Sequence, residues 1–244
     1  MIEASVLHAA WRSLPLGTLD ELVMGGTGLV LAPHPDDESL GCGGLIARCV
    51  AVERPPLVVI LTDGAASHAS ASYPPERLRR VRAKEVAQAV DLLGLPRDRL
   101  HRFDYPDAAA PQDGPDFEAA VTRVEALLHD APECRTVFAP WMQDPHGDHV
   151  AAARIAEAVG RRTGIRVLSY PVWGWTIPPG TEVPTELPTG WRLDIAPVLA
   201  AKRRAIEAHR SQYGDLITDD VSGFRLPEEL LTPCMQPFEV YFHP

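Results

Sequence analysis

The chain has 244 residues, 45% of them hydrophobic and 23% charged, which is the balance of a folded globular protein and excludes disordered, collagenous and coiled-coil classes. Twenty-three basic and 33 acidic side chains leave a net charge of −10, which argues against nucleic acid or an anionic membrane surface as the main partner. No apolar stretch reaches the ~18 residues of a transmembrane helix, and the start Met1-Ile2-Glu3-Ala4 lacks the pattern of a signal peptide. Cys42, Cys49, Cys134 and Cys234 form no C-x-x-C pair, so they read as reduced thiols of a cytoplasmic protein, with neither a disulfide framework nor cysteine-bound zinc. Proline is the outlier, 24 residues, mostly between periodic segments, where it makes rigid loops.

In chain order, Gly28 to Ala32 is a short apolar run ended by Pro33 and reads as a buried strand, followed by helical character from Gly41 to Val52. Leu57 to Leu61 is a second continuous apolar run, as expected of a parallel strand covered on both faces. A long helix is predicted over Pro75 to Leu93, stopped by Gly94 and Pro96. A weaker strand at Leu100 to Asp104, a helix at Phe117 to Leu128, a strand at Arg135 to Ala139, a helix at His149 to Arg162 and a strand at Arg166 to Tyr170 continue the alternation. Beyond Pro171 prolines interrupt a loop-rich segment, with a strand at Trp191 to Ile195 and a last helix at Pro197 to His209, on which Lys202, Arg203 and Arg204 are expected to be exposed. The alternation implies an α/β fold with a mostly parallel sheet and helices on both faces, plus a loop-rich C-terminal part. No repeat or long linker divides the chain, so one domain is expected over 1–244, with 1–25 as an N-terminal extension and 171–244 as the loop-rich portion.

The segment Pro33-His34-Pro35-Asp36-Asp37-Glu38-Ser39 lies between a strand and a helix. Ligands in parallel α/β sheets bind beyond the carboxyl ends of the strands. His34 and Asp37 stand three apart, and imidazole with carboxylate suits a borderline cation such as zinc. Helix capping accounts for one or two of the acids, but not for a histidine between two prolines ahead of three consecutive acids. The following Gly41-Cys42-Gly43-Gly44-Leu45-Ile46 fails the dinucleotide fingerprint, because Ile46 takes the last glycine's place. A second cluster, Asp144-Pro145-His146-Gly147-Asp148-His149, follows another strand and opens another helix, again with two donors three apart. Two such clusters at corresponding strand ends can converge on one site, and three protein ligands with an open position are the composition of a catalytic zinc site.

Together these motifs resemble the PIG-L/LmbE-type family of zinc-dependent N-acetylglucosaminyl deacetylases. Thr62-Asp63-Gly64, Arg82-x-x-Glu85, Lys202 and His209-x-Ser211-Gln212 extend the resemblance, which runs from about Leu29 to Gln212. It implies a Rossmann-like fold, one zinc ion per chain and hydrolysis of an N-acyl amino sugar. His34, Asp37 and His149 would hold the zinc, Asp36 would be the general base, and His146 would stabilise the oxyanion. Pro33 stands where relatives often have alanine, and Asp144 where some have tyrosine. The chemistry suits these roles. A metal acidifies water and polarises a carbonyl, a carboxylate held off the metal can take the water's proton, and a cationic His146 can meet the developing oxyanion. Asp148 orients His146 or a ligand, or caps its helix. Arg82 contacts substrate or pairs with Glu85 on the helix surface, and His209 lines the cleft or is an exposed helix end. Trp173, Trp175 and Trp191 stack on a sugar ring or pack in the core or at its rim.

The resulting expectation is a cytoplasmic zinc-dependent hydrolase that deacetylates an N-acetylglucosaminyl-type amino sugar or its conjugate. Its partner is a small molecule, with no nucleic acid and no membrane span, and a homo-oligomer stays open. The alternatives are a metal-dependent amidase acting on another amide, such as a thiol conjugate, and a non-catalytic metal- or sugar-binding α/β protein.

Overall fold

The computed structural model describes residues 1–214, 216–220 and 223–244. The chain opens with β1 (Ile2–Glu3), α1 (Ala4–Ser13), β2 (Leu16–Gly17) and α2 (Leu19–Val23). The first strand–helix unit is β3 (Thr27–Ala32) with α3 (Asp37–Ala51), followed by β4 (Leu57–Thr62) with α4 (Pro75–Leu92) and β5 (Leu100–Tyr105) with α5 (Gly114–Asp130). The next is β6 (Cys134–Pro140) with α6 (Gly147–Thr163), ahead of β7 (Arg166–Tyr170). The C-terminal part holds β8 (Glu182–Val183), β9 (Gly190–Asp194), α7 (Leu199–Ala208), α8 (Arg210–Tyr213), α9 (Glu228–Cys234) and β10 (Phe238–Phe242).

Eight strands form one sheet in the order β2-β9-β10-β7-β6-β3-β4-β5. The run from β7 to β5 is parallel, whereas β10 joins antiparallel to both β7 and β9. Alternation along each strand divides the core between the two faces. Val30, Ala32, Val58 and Ile60 pack under Leu45, Val86 and Ile206 of α3, α4 and α7. Leu29, Leu31, Val59 and Leu61 pack under Val121 and Ile155 of α5 and α6. Burial on both sides explains why these strands read as unbroken apolar runs.

Three differences from the sequence reading have physical causes. Residues 1–25 are tied into the fold, since β2 pairs with β9, β1 pairs with β8, and Trp11 is buried in a cluster with Trp141, Val240 and Phe242. Strand β10 differs from the expected loop-rich end of the chain, because Glu239 breaks its apolar pattern; that carboxylate is buried against α3. Lys202, expected on the outer face of the last helix, is instead 1% exposed, with Nζ 2.6 Å from Glu239. Arg203 and Arg204 do face solvent, but Lys202 stands on the side of α7 packed against Gly43 of α3, where a carboxylate partner makes its burial tolerable.

Strand order places the site. The chain moves from β3 outward to β4 and β5, then returns to lay β6 on the other side of β3. This reversal opens a crevice at the carboxyl ends of β3 and β6. Both acid–histidine loops leave the sheet there.

Candidate metal centre and active-site cleft

The β3–α3 turn brings His34 and Asp37 together. The Asp37 carboxylate oxygen Oδ2 accepts the His34 backbone N–H at 3.0 Å and lies 3.0 Å from His34 Nδ1. From the β6–α6 loop, His149 Nε2 approaches the same oxygen at 3.2 Å. His34 and Asp37 are buried, and His149 is wholly so. Neither His149 ring nitrogen has an aligned hydrogen-bond partner. Two imidazoles converging on one carboxylate oxygen, with the buried His149 ring left without a hydrogen bond, form a donor set that lacks an acceptor of electron pairs, so these residues fit a divalent cation.

Further carboxylates back the two imidazoles. His34 Nε2 lies 3.0 Å from Asp148 and 3.3 Å from Asp107, and His149 Nδ1 lies 3.3 Å from Asp144. With a carboxylate behind each imidazole, Nδ1 of His34 and Nε2 of His149 are the nitrogens turned toward Asp37, an arrangement that supports metal-bound histidine. Charge points the same way. Burial alone would lower the His34 imidazole, yet Asp107, Asp148 and Asp37 outweigh it and hold its pKa well above the ordinary value. Burial likewise opposes His149, but Asp37 and Asp144 push it up to about 9. The pocket therefore favours positive charge where a cation would sit.

His146 stands beside these side chains, its ring 4.7 Å from that of His34 and 5.3 Å from that of His149, centroid to centroid. One donor atom from each of the three histidines lies within 4.8 Å of the others, so the cluster offers His146 as well as Asp37 as a third donor. Asp107 and Asp148 make a second such group with His34. His146 is not the cation expected. Burial, together with the His34 and His149 charges, lowers its pKa, and its Nδ1 accepts the Asp148 backbone N–H at 3.2 Å as the cap of α6. The neutral ring keeps its proton on Nε2. Asp148 consequently neither caps α6 nor bonds the His146 ring with its carboxylate. It takes the Ala108 and Ala110 backbone N–H groups and faces His34.

Asp36 occupies the α3 N-cap position without making a side-chain cap bond. Its φ of 151° is in the region that favours glycine, a strained backbone of the kind concentrated at functional sites. Its Oδ2 meets Arg82 Nη2 at 3.0 Å. Burial raises the Asp36 carboxyl, Arg82 opposes this and Asp37 reinforces it, and the balance is a pKa of about 6. Arg82 is buried on the cleft wall, and its terminal nitrogens also bond the Gly64 and Pro35 carbonyls. It positions Asp36, and it does not pair with Glu85, whose carboxylate bonds Ser211 instead. Gly64, at φ 67°, makes room, since a Cβ there would come 2.5 Å from Arg82 Nη1.

His209, expected to line the cleft or be exposed, does neither. It is fully buried behind the site, with Nε2 3.0 Å from Glu38, whose other oxygen accepts the Asp36 backbone N–H. The chain turns inward at the end of α7, so the ring props the Asp36 turn from beneath. Of the tryptophans, Trp173 reaches the cleft, Trp175 packs on Trp11, and Trp191 lies against His243. Asp107 escaped the sequence reading. The signal was present in Tyr105-Pro106-Asp107, a third proline–acid pair beyond a strand end. The cleft has a volume of about 550 Å³.

Asp144 provides a direct check on the centre. Its other oxygen accepts the Val172 and Gly174 backbone N–H groups, so it holds His149 from a fixed frame. Asp144→Asn is expected to lower metal affinity ~10–100-fold while leaving the fold intact. Competition with a chromogenic chelator measures this, and unchanged affinity would remove His149 from the ligand set.

Comparison with known proteins gives one consistent result. Residues 29–159 match the family described as PIG-L, GlcNAc-PI de-N-acetylase. A 1D-myo-inositol 2-acetamido-2-deoxy-alpha-D-glucopyranoside deacetylase from Nocardia farcinica is 32% identical, the alignment covering 85% of this chain and 86% of the relative. Diacetylchitobiose deacetylase from Thermococcus kodakarensis is 25% identical over 76% of this chain and 69% of that protein. Among solved structures, the conserved protein TT1542 from Thermus thermophilus superposes with a TM-score of 0.64 at 27% identity, covering 90% of this chain and 94% of that one.

Proposed function

Because the chain belongs to the GlcNAc-PI de-N-acetylase (PIG-L) family, we propose that it is a zinc-dependent hydrolase that removes the acetyl group from an N-acetylglucosaminyl-type amino sugar or its conjugate. The observation that carries the reading is the convergence of His34 and His149 on Asp37, with Asp36 turned aside and held by Arg82. A binding protein has no use for a second buried carboxylate, adjacent to a ligand and with a pKa raised to about 6.

In this reading His34, Asp37 and His149 would hold the zinc, with His34 Nδ1 and His149 Nε2 the nitrogens turned toward Asp37. When bound, the ion polarises the amide carbonyl and lowers the pKa of water. Asp36 takes the proton of the attacking water, a task for which a pKa near neutrality is suited. Arg82 keeps the Asp36 carboxylate off the ligand set and aimed into the cleft. As the amide carbon becomes tetrahedral, the Nε2–H of neutral His146 donates to the oxygen that gains negative charge. Protonated Asp36 then returns its proton to the departing nitrogen. The carboxylic acid released gives up its own proton, and the product amine, protonated to a cation, lies near Asp36 and Asp107, carboxylates on the cleft wall. Four buried thiols accord with a cytoplasmic setting, and no helix among the described residues is long and apolar enough to cross a membrane.

Primary-amine release from a panel of N-acetylglucosaminyl compounds, with metal analysis of the same sample, tests this function. One zinc per chain is expected, with turnover lost on chelation and regained on adding zinc. Full turnover after verified metal removal overturns the mechanism. Metal without amine release from any N-acyl sugar leaves a binding protein.

A further inference from the structure

The cleft has two unlike ends. Asp107 lies beyond β5, whereas Trp173 lies beyond β7, four strand steps away in the order β7-β6-β3-β4-β5. The two strand ends are ~19 Å apart at ~4.8 Å per step, but Asp107 reaches back from the β5 end to within 3.3 Å of His34, so its carboxylate stands beside the metal centre, on the side away from β7. The β5 end is polar and anionic. At the other end Trp173 and Phe224 meet edge to face, centroids 5.6 Å apart, and pack on the core that includes Leu40 and Leu226. This wall is fixed in place. The Phe224 backbone N–H donates to the Ser67 carbonyl at 3.2 Å, and that of Leu226 to the Gln212 carbonyl at 2.9 Å. All four side chains border the cavity.

The proposed function leaves this aromatic wall without a task, because an acetyl group and one sugar ring do not need it. A cavity of about 550 Å³ is of the size that encloses a drug-sized ligand. Resting on the deacetylase reading, we propose that the Trp173–Phe224 wall is a subsite for an apolar, aryl-type aglycone at the anomeric carbon of the amino sugar. Pyranose geometry sets the direction. The amide stands on C2, which C1 and C3 flank on opposite sides. With the amide over the metal centre and the C3 and C4 hydroxyls toward the carboxylate of Asp107, the C1 substituent leaves toward Trp173. Charge sets the polarity. Among the described residues Arg82 is the single lysine or arginine on the wall, and its terminal nitrogens already bond Asp36, Pro35 and Gly64. A phosphate-bearing aglycone would find carboxylates and no available cation. A polyhydroxylated one such as inositol would set hydroxyls against indole and phenyl faces, with Ser67 and Gln212 as neutral polar side chains on the cleft wall, and so gains less from the aromatic pair than an aryl group does.

The test compares kcat/KM for amine release from free N-acetylglucosamine, its phenyl glycoside, its inositol glycoside and N-octanoylglucosamine. Burying one phenyl-sized group is worth ~10–150-fold, so the phenyl glycoside is expected to exceed the free sugar by that ratio. The ratio should fall most of the way to one in Trp173→Ala and in Phe224→Ala, and taking a ratio cancels any general damage to the enzyme. Preference for the inositol glycoside, or a ratio that both variants leave unchanged, overturns the proposal. A gain confined to the octanoyl compound overturns it too, by assigning the wall to the acyl group. Each of these outcomes leaves the deacetylase reading standing, whereas no amine from any of the four compounds would remove that reading itself.

Discussion

Asp36→Asn is expected to retain its metal and to lose ~10²–10⁴-fold of turnover, whereas Asp37→Asn loses the metal first. The two acids are neighbours in sequence but not in environment. Asp37 receives the His34 backbone N–H and faces both imidazoles, so burial, which would raise its carboxyl, is outweighed by His149 and His34 and its pKa falls well below the ordinary value. Asp36 is swung away by its φ of 151° and bonds Arg82. Asparagine at 36 preserves size and can still accept from Arg82, but it cannot accept a proton. Asparagine at 37 exchanges an anionic donor for a weak neutral one. Metal content by elemental analysis and single-turnover rates on both purified variants decide the matter. Equal metal loss in the two, or an active Asp36→Asn enzyme, would show that the division of labour is wrong. If Asp37→Asn keeps its metal, the three histidines are the ligand set.

The alternation of parallel strands and helices was legible because strands covered on both faces must be largely apolar, as β3 is from Gly28 to Ala32, β4 from Leu57 to Leu61 and β6 from Val137 to Ala139. The loops that carry the centre were legible for a related reason, since acids and histidines between prolines have no structural use at the end of a buried strand. The spacing argument worked through different geometry. His34 and Asp37 meet across a tight turn, closed by the Asp37 N–H to the His34 carbonyl at 3.3 Å, and not along a helix face. Partnerships that depend on long-range folding were not legible. Nothing near Arg82 in sequence says that it reaches Asp36, and His209 meets Glu38 across 171 positions. The glycines of Gly41-Cys42-Gly43-Gly44 are explained by packing and not by a phosphate. A Cβ at Gly41 would come 2.4 Å from Tyr170, and one at Gly44 2.4 Å from Ile195.

The same close approach leads to the largest expected effect on stability, at Glu239. Its Oε1 accepts the Gly44 backbone N–H and the Lys202 ammonium, each at 2.6 Å, and its Oε2 accepts the Leu45 N–H and the Tyr241 hydroxyl, each at 2.7 Å. Carboxylate and ammonium are 2% and 1% exposed, so neither has water to fall back on. Removing one partner of such a pair costs ~3–5 kcal/mol, because the other is left charged in a medium that solvates it poorly. The two partners are not equivalent. Glu239→Gln leaves Lys202 with no anion and turns amide hydrogens toward backbone N–H groups, so it should cost the full amount. Lys202→Met leaves Glu239 with three donors, which still stabilise its charge, and should cost less. For a chain of 244 residues each kcal/mol moves Tm by ~2–4 °C, so Glu239→Gln is expected to melt ~6–20 °C lower. Thermal unfolding followed by circular dichroism reads the order directly. A Lys202→Met protein that melts lower than Glu239→Gln would mean that the ammonium, and not the carboxylate, organises this side of α3.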